Sequence, residues 1–139
     1  MKVDADSKII TDYTVTSANV HDSQALTELI TEEDNILYAD SAYTREELLE
    51  KLPKSVETRI NEKGYRNHPL TPEQKENNRL KSKIRARVKH IFGFMTGAMN
   101  GISVRSIGID RATFNIGLTN LVHNICRYEI LKRGKFAKG

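Results

Sequence analysis

The amino-acid sequence predicts an α/β domain whose sheet includes parallel neighbours, closed by two C-terminal helices. Three observations carry this. Short runs rich in β-branched and aromatic residues alternate with stretches of helical period, in the order strand, helix, strand, helix, strand, long helix, helix. Capping and turn residues stand at the junctions. After Thr71 the apolar residues recur at the spacing of one buried helical stripe.

The elements follow in order. Ile9 to Thr16 reads as a strand. The Asp4-Ala5-Asp6-Ser7 cluster before it reads as a turn and leaves little room for an earlier strand. Asp22 can cap a short helix through about Thr31, with Ala25, Leu26, Leu29 and Ile30 on one face. Ile36-Leu37-Tyr38-Ala39 is a compact buried-strand candidate that ends at Asp40. Thr44 and Glu47 have the spacing of a capping box, opening a helix that carries Leu48, Leu49 and Leu52 and stops near Pro53. Val56 to Ile60 reads as a further strand, and Asn61 to Leu70, with Gly64 and Pro69, as a loop.

Thr71-Pro72-Glu73-Gln74 then supplies an N-cap, a proline at the first helical position and a glutamine at the third. Leu80, Ile84, Val88, Ile91, Phe92 and Met95 fall within roughly 120° of arc at about 100° per residue, so one face is expected to be buried. Gly93, Gly97, Gly101 and Gly108 mark decay into a loop. A last helix is expected from about Arg111 to Leu131, with Phe114, Leu118, Leu121, Val122 and Ile125 on its buried face. Residues 133–139 read as a basic flexible tail, leaving one domain over residues 1–132.

Composition narrows the class. A hydrophobic content of 38%, no Trp and three Pro suit a globular chain rather than a disordered one. No apolar run approaches the roughly 18 residues of a membrane span, so no membrane partner is expected. Cys126 is the single cysteine; it cannot form an internal disulfide and fits a reducing cytoplasm, as an inert packing residue.

The net charge of +4 hides an asymmetry. Residues 1–76 hold 9 Lys/Arg against 16 Asp/Glu, net −7, whereas residues 77–139 hold 13 against 2, net +11. Such a split suggests a basic surface for a polyanion, although the halves could simply neutralise each other. Between Glu76 and Asp110 there is no acid, while Arg79, Lys81, Lys83, Arg85, Arg87 and Lys89 alternate along the helix. A solvated face usually mixes signs. Phosphate neutralisation explains the bias better, which makes Lys81, Lys83, Arg85, Arg87 and His90 candidate DNA contacts.

Asp40 follows a short apolar strand at its carboxyl end, where open α/β sheets place ligands. There it could hold Mg²⁺ or simply cap the turn ahead of Ser41. Lys89 lies about 60° beyond Phe92, at the border of the expected buried face, where a metal site would suit a glutamate. His90 and His21 are each either a ligand or a structural histidine.

Four blocks carry a resemblance: Thr16 to Ser23; Tyr38-Ala39-Asp40-Ser41-Ala42-Tyr43; Arg85-Ala86-Arg87-Val88-Lys89-His90-Ile91-Phe92-Gly93; and Leu121 to Arg127. In this order and spacing they resemble bacterial insertion-sequence transposases of the DDE class, of the IS-five-like group. The resemblance implies a ribonuclease-H-like fold that cuts and rejoins DNA with two Mg²⁺ ions held by three acids. Asp40 matches the second acid. Lys89 stands at the third, in a block normally reading Arg-Val-Glu-His, and the first has no counterpart. The expectation is therefore an incomplete ribonuclease-H-like fold lacking its first strand: a C-terminal transposase fragment, inactive alone. Mg²⁺ binding is expected to be weak or absent. A cation in place of a carboxylate, about 4 Å from a metal at an effective dielectric of about 20, opposes Mg²⁺ by several kcal/mol. The implied partners are transposon-end DNA and either an N-terminal transposase polypeptide or a second copy. The alternatives are a DNA-binding regulator of transposition without catalysis, and a scarcely folded decay product.

Overall fold

Side-chain hydrogen bonds in the N-terminal turn set the first element. In the computed structural model, which describes residues 1–20, 22–44, 46–99, 104–105 and 107–136, Asp4 Oδ1 accepts from Ser7 N at 2.6 Å and from Ser7 Oγ at 2.5 Å. Lys8 N donates to Asp4 O at 3.1 Å, and Asp4 N to Ile9 O at 2.9 Å. The chain thereby reverses, and β1 (Lys2–Val3) pairs antiparallel with β2 (Ile10–Asp12) across a bulge between Lys2 and Val3. The turn is where the sequence put it, but an earlier strand does fit before it. β2 is also much shorter than Ile9 to Thr16, because a ladder extends only as far as its two-residue partner.

By its internal contacts the chain divides into two compact units, Met1–Val20 with Arg87–Gly139, and His21–Ala86. In the second, α1 (Asp22–Leu29) leads to β3 (Ile36–Leu37), a 3-10 helix (Ser41–Tyr43), α2 (Glu46–Leu49) and β4 (Glu57–Thr58). β3 and β4 pair in parallel, with Ile36 opposite Glu57 and Leu37 opposite Thr58. The expected parallel neighbours are present. They form their own two-stranded sheet, separate from β1 and β2, rather than part of one larger sheet.

Beneath this pair Leu37, Ala39, Leu52 and Val56 form a buried cluster, with Leu26, Ile30 and Leu49 packed on it. The expected Thr44–Glu47 capping box gives way to a different bond: Thr44 Oγ1 donates back to Ser41 O at 2.8 Å, closing the 3-10 turn.

α3 (Pro72–Ala98) starts as its sequence requires. Gln74 N donates to Thr71 Oγ1 at 3.2 Å, and Thr71 N to Gln74 Oε1 at 2.9 Å, a complete reciprocal cap. One turn further on, Asn78 grips the Glu62 peptide from both sides: Glu62 N donates to Asn78 Oδ1 and Asn78 Nδ2 to Glu62 O, each at 2.9 Å. Ile91 and Met95 are buried at 1% and 0% exposure, packed with Ile10, Met1, Val3 and Met99. Leu80 and Phe92, at the two edges of the expected stripe, are exposed instead. The buried line is therefore narrower than the sequence suggested.

α4 (Ile109–Phe136) overturns its expected orientation. Phe114, Leu118, Leu121, Val122 and Ile125 are exposed, Phe114 by 70%, while Asn120 and His123 are buried. The reason lies at β2. Asn124 Oδ1 accepts from Ile10 N at 2.9 Å and its Nδ2 donates to Ile10 O at 2.8 Å, satisfying peptide groups that no strand among the described residues pairs. Tyr13 reaches the same helix, its hydroxyl donating to Thr113 O at 3.4 Å, and Gly117 leaves the space that its ring tip occupies. α4 also runs on through Phe136, so the first residues of the expected tail are helical. Residues 137–139 lie outside the described residues.

Candidate functional site

Asp40 stands where the sequence placed it, just past β3, and it does two things there. It caps the 3-10 helix, Oδ1 accepting from Ser41 N at 2.7 Å. The same oxygen lies 2.8 Å from Arg85 Nη1 on α3, as an ion pair rather than an aligned hydrogen bond. The Ser41 amide, and after it the Arg85 charge, hold the Asp40 carboxyl below its ordinary range. The side chain stays 54% exposed, so its outer oxygen can still reach solvent.

The basic residues of α3 differ in their partners. Arg79 pairs with Glu76 at 2.8 Å, and Lys81 Nζ donates to Ile60 O at 3.0 Å beside Glu62. Arg87 Nη1 donates to Ala5 O, with Asp6 Oδ1 at 3.4 Å. Lys83, Lys89 and His90 are exposed and have no ion pair or hydrogen bond among the described residues. Lys89 therefore lies in solvent rather than at a buried border, because Phe92 beside it is itself 45% exposed. His21 lies outside the described residues. Cys126 is half-buried on α4 as a free thiol.

A second feature was not anticipated. Within the first unit a cleft of about 120 Å³ opens between the Ser7–Lys8 turn, α3 and α4. Lys8, His90, His123 and Arg127 border it. The available signal was polar rather than apolar: Asn120, His123, Asn124 and Arg127 recur at i, i+3, i+4 and i+7, one continuous polar stripe on the helix.

The family described as Transposase DDE domain matches residues 1–125. The chain belongs to this family. No curated protein and no solved structure matches it. Membership in the transposase DDE domain family gives the chain a family role in DNA transposition, and such domains generally act on DNA ends with a divalent metal such as Mg²⁺. No helix among the described residues is long and apolar enough to cross a membrane.

The residues present fit that metal poorly. Among the described residues no group of three or more His, Cys, Asp or Glu side chains could hold an ion. The Asp40 carboxylate already faces a guanidinium at 2.8 Å. A cation at Asp40 would have to displace that arginine or accept its repulsion.

Proposed function

We propose that this transposase-family chain occupies transposon-end DNA without cutting it by itself. The observation that carries this is the Asp40–Arg85 ion pair, which gives the carboxylate a cationic partner inside the chain. One turn beyond Arg85 on α3 stands Lys89, a second cation, at the place that the resemblance assigns to the third acid. On this reading Asp40 descends from a metal ligand and now serves structure. The strand-to-Asp40 junction and the parallel β3–β4 pair support an incomplete ribonuclease-H-like ancestry of the IS-five-like type. Lys83, Lys89 and His90, exposed and without a partner among the described residues, support phosphate contact, whereas Arg85, Arg87 and Lys81 are engaged with Asp40, Ala5 and Ile60.

The test has two arms. Purified chain is expected to retard a labelled duplex of element-end sequence in a gel, with affinity falling steeply in salt. Changing Lys83 and Lys89 together to Ala should reduce the salt slope by about 2. In Mg²⁺ the same protein should leave supercoiled plasmid uncut. Nicking that disappears on Asp40→Ala would overturn the reading. The regulator reading, binding without any catalytic partner, is favoured by the same uncommitted lysines. It is separated by co-expression with an intact element: a regulator lowers transposition frequency, whereas half of a split enzyme raises it.

A further inference from the structure

The side of α4 that faces away from Ile10 carries an ordered apolar row. Phe114, Leu118, Leu121, Ile125 and Tyr128 follow one another at intervals of 4, 3, 4 and 3 residues. At about 100° per residue they fall within roughly 80° of arc. That is the narrow seam of two paired helices, with a mean period of 3.5 residues, rather than the wider stripe a helix lays on a sheet. Their exposure runs from 50% at Leu118 to 70% at Phe114. The row holds no cation, so it does not suit a nucleic acid. Taking about 150–250 Å² for a bare aromatic side chain, it offers roughly 500 Å² of apolar surface per copy. With its flanks this approaches the about 800 Å² per partner of a specific interface.

Charge at the two ends of the row decides the orientation of a pair. Arg111 and Lys132 continue the same face, one step before Phe114 and one step after Tyr128. A parallel pair would set Arg111 against Arg111 and Lys132 against Lys132. An antiparallel pair separates these like charges. In the register that interleaves the two rows, Phe114 meets Ile125 of the second copy and Leu118 meets its Leu121, and a two-fold axis repeats each contact. Arg111 then lies beside Tyr128 and Glu129 of the second copy, an aromatic ring and an opposite charge. Arg111 and Glu129 are both exposed and have no ion pair among the described residues.

We propose that a second copy of this chain covers the row, α4 packing antiparallel on α4. The pairing goes beyond the function proposed above and needs no DNA. In dilute solution the copies separate and the row returns to water.

The test is sedimentation equilibrium of the full chain, without DNA, between about 1 and 200 µM, where a monomer–dimer equilibrium is expected. Leu121→Glu, an exposed change in the middle of the row, should raise the dimer dissociation constant by about tenfold or more. It should leave the melting temperature of the dilute chain unchanged, because glutamate is a good helix former. Arg111→Glu should raise the constant about fivefold by setting two carboxylates together, and adding Glu129→Arg to the same chain should restore it. A chain that stays monomeric at the highest concentration overturns the proposal, whatever its affinity for DNA. A dimer that Leu121→Glu leaves intact overturns α4 as its interface. A dimer that the double charge reversal does not restore overturns the antiparallel register.

Discussion

α3 and α4 are close in length, 27 and 28 residues, yet they bury opposite kinds of surface. α3 seats Ile91 and Met95 against Ile10, as an apolar helical stripe should. α4 turns Asn120, His123 and Asn124 inward and leaves its apolar row in solvent. The difference lies in what each helix meets. Ile10 offers α3 an apolar side chain. To α4 it offers an unpaired N–H and C=O, and leaving such groups buried and unsatisfied costs about 1–3 kcal/mol apiece. Hydrophobic period thus locates a buried face only where the opposing surface is apolar. Where the opposing surface is a strand edge, an asparagine outcompetes a leucine. Both helices use that device: Asn78 of α3 grips the Glu62 peptide just as Asn124 of α4 grips that of Ile10.

The contrast can be broken most directly by paired truncation. Met95→Ala, at a fully buried position, should cost about 2–5 kcal/mol in urea unfolding, whereas Leu121→Ala should stay within about 0.5 kcal/mol. Equal losses would mean that the α4 row is covered after all. The polar side is probed next. Asn124→Ala should cost about 1–3 kcal/mol and speed hydrogen exchange at the Ile10 amide; a Leu in its place should not rescue it. Retained protection at Ile10 would show that the amide has another partner.

The smallest effect concerns Asp40. Its carboxyl is depressed, so its contribution to stability is present above the ordinary carboxylate range and is lost as pH falls through the lower, folded value. Arg85→Gln should move a ¹³C-detected Asp40 titration upward but leave it short of an ordinary carboxylate, because the Ser41 amide remains. With the side chain 54% exposed, the change in stability should be under about 1 kcal/mol. An unmoved titration would remove Arg85 from the account.

Much of the fold was legible. The Asp4–Ser7 turn and the Thr71–Gln74 cap are written in neighbouring residues, and both formed. The parallel pair was legible from two apolar runs flanking a helix, and Asp40 from its place after the first of them. At Thr44 the hydroxyl donates back to Ser41 O and ends the 3-10 turn rather than opening the next helix. Phe92 falls on the expected buried face yet is exposed, because an angle on a helical projection carries no information about how wide the opposing surface is. The cleft escaped notice for a related reason: Lys8 and His123 lie 115 residues apart, and neither belongs to an apolar pattern.

By itself the sequence determined what short-range chemistry determines: where the chain turns, where helices start, which family it joins and that its basic charge falls in the second half. Tertiary structure decided which side of α4 is buried, that Asp40 answers to Arg85, and that two histidines meet a lysine and an arginine. Those outcomes depend on hydrogen-bond and charge partners brought together from distant parts of the chain, such as Ile10 with Asn124 across 114 residues, and no local periodicity encodes which donor will reach which acceptor.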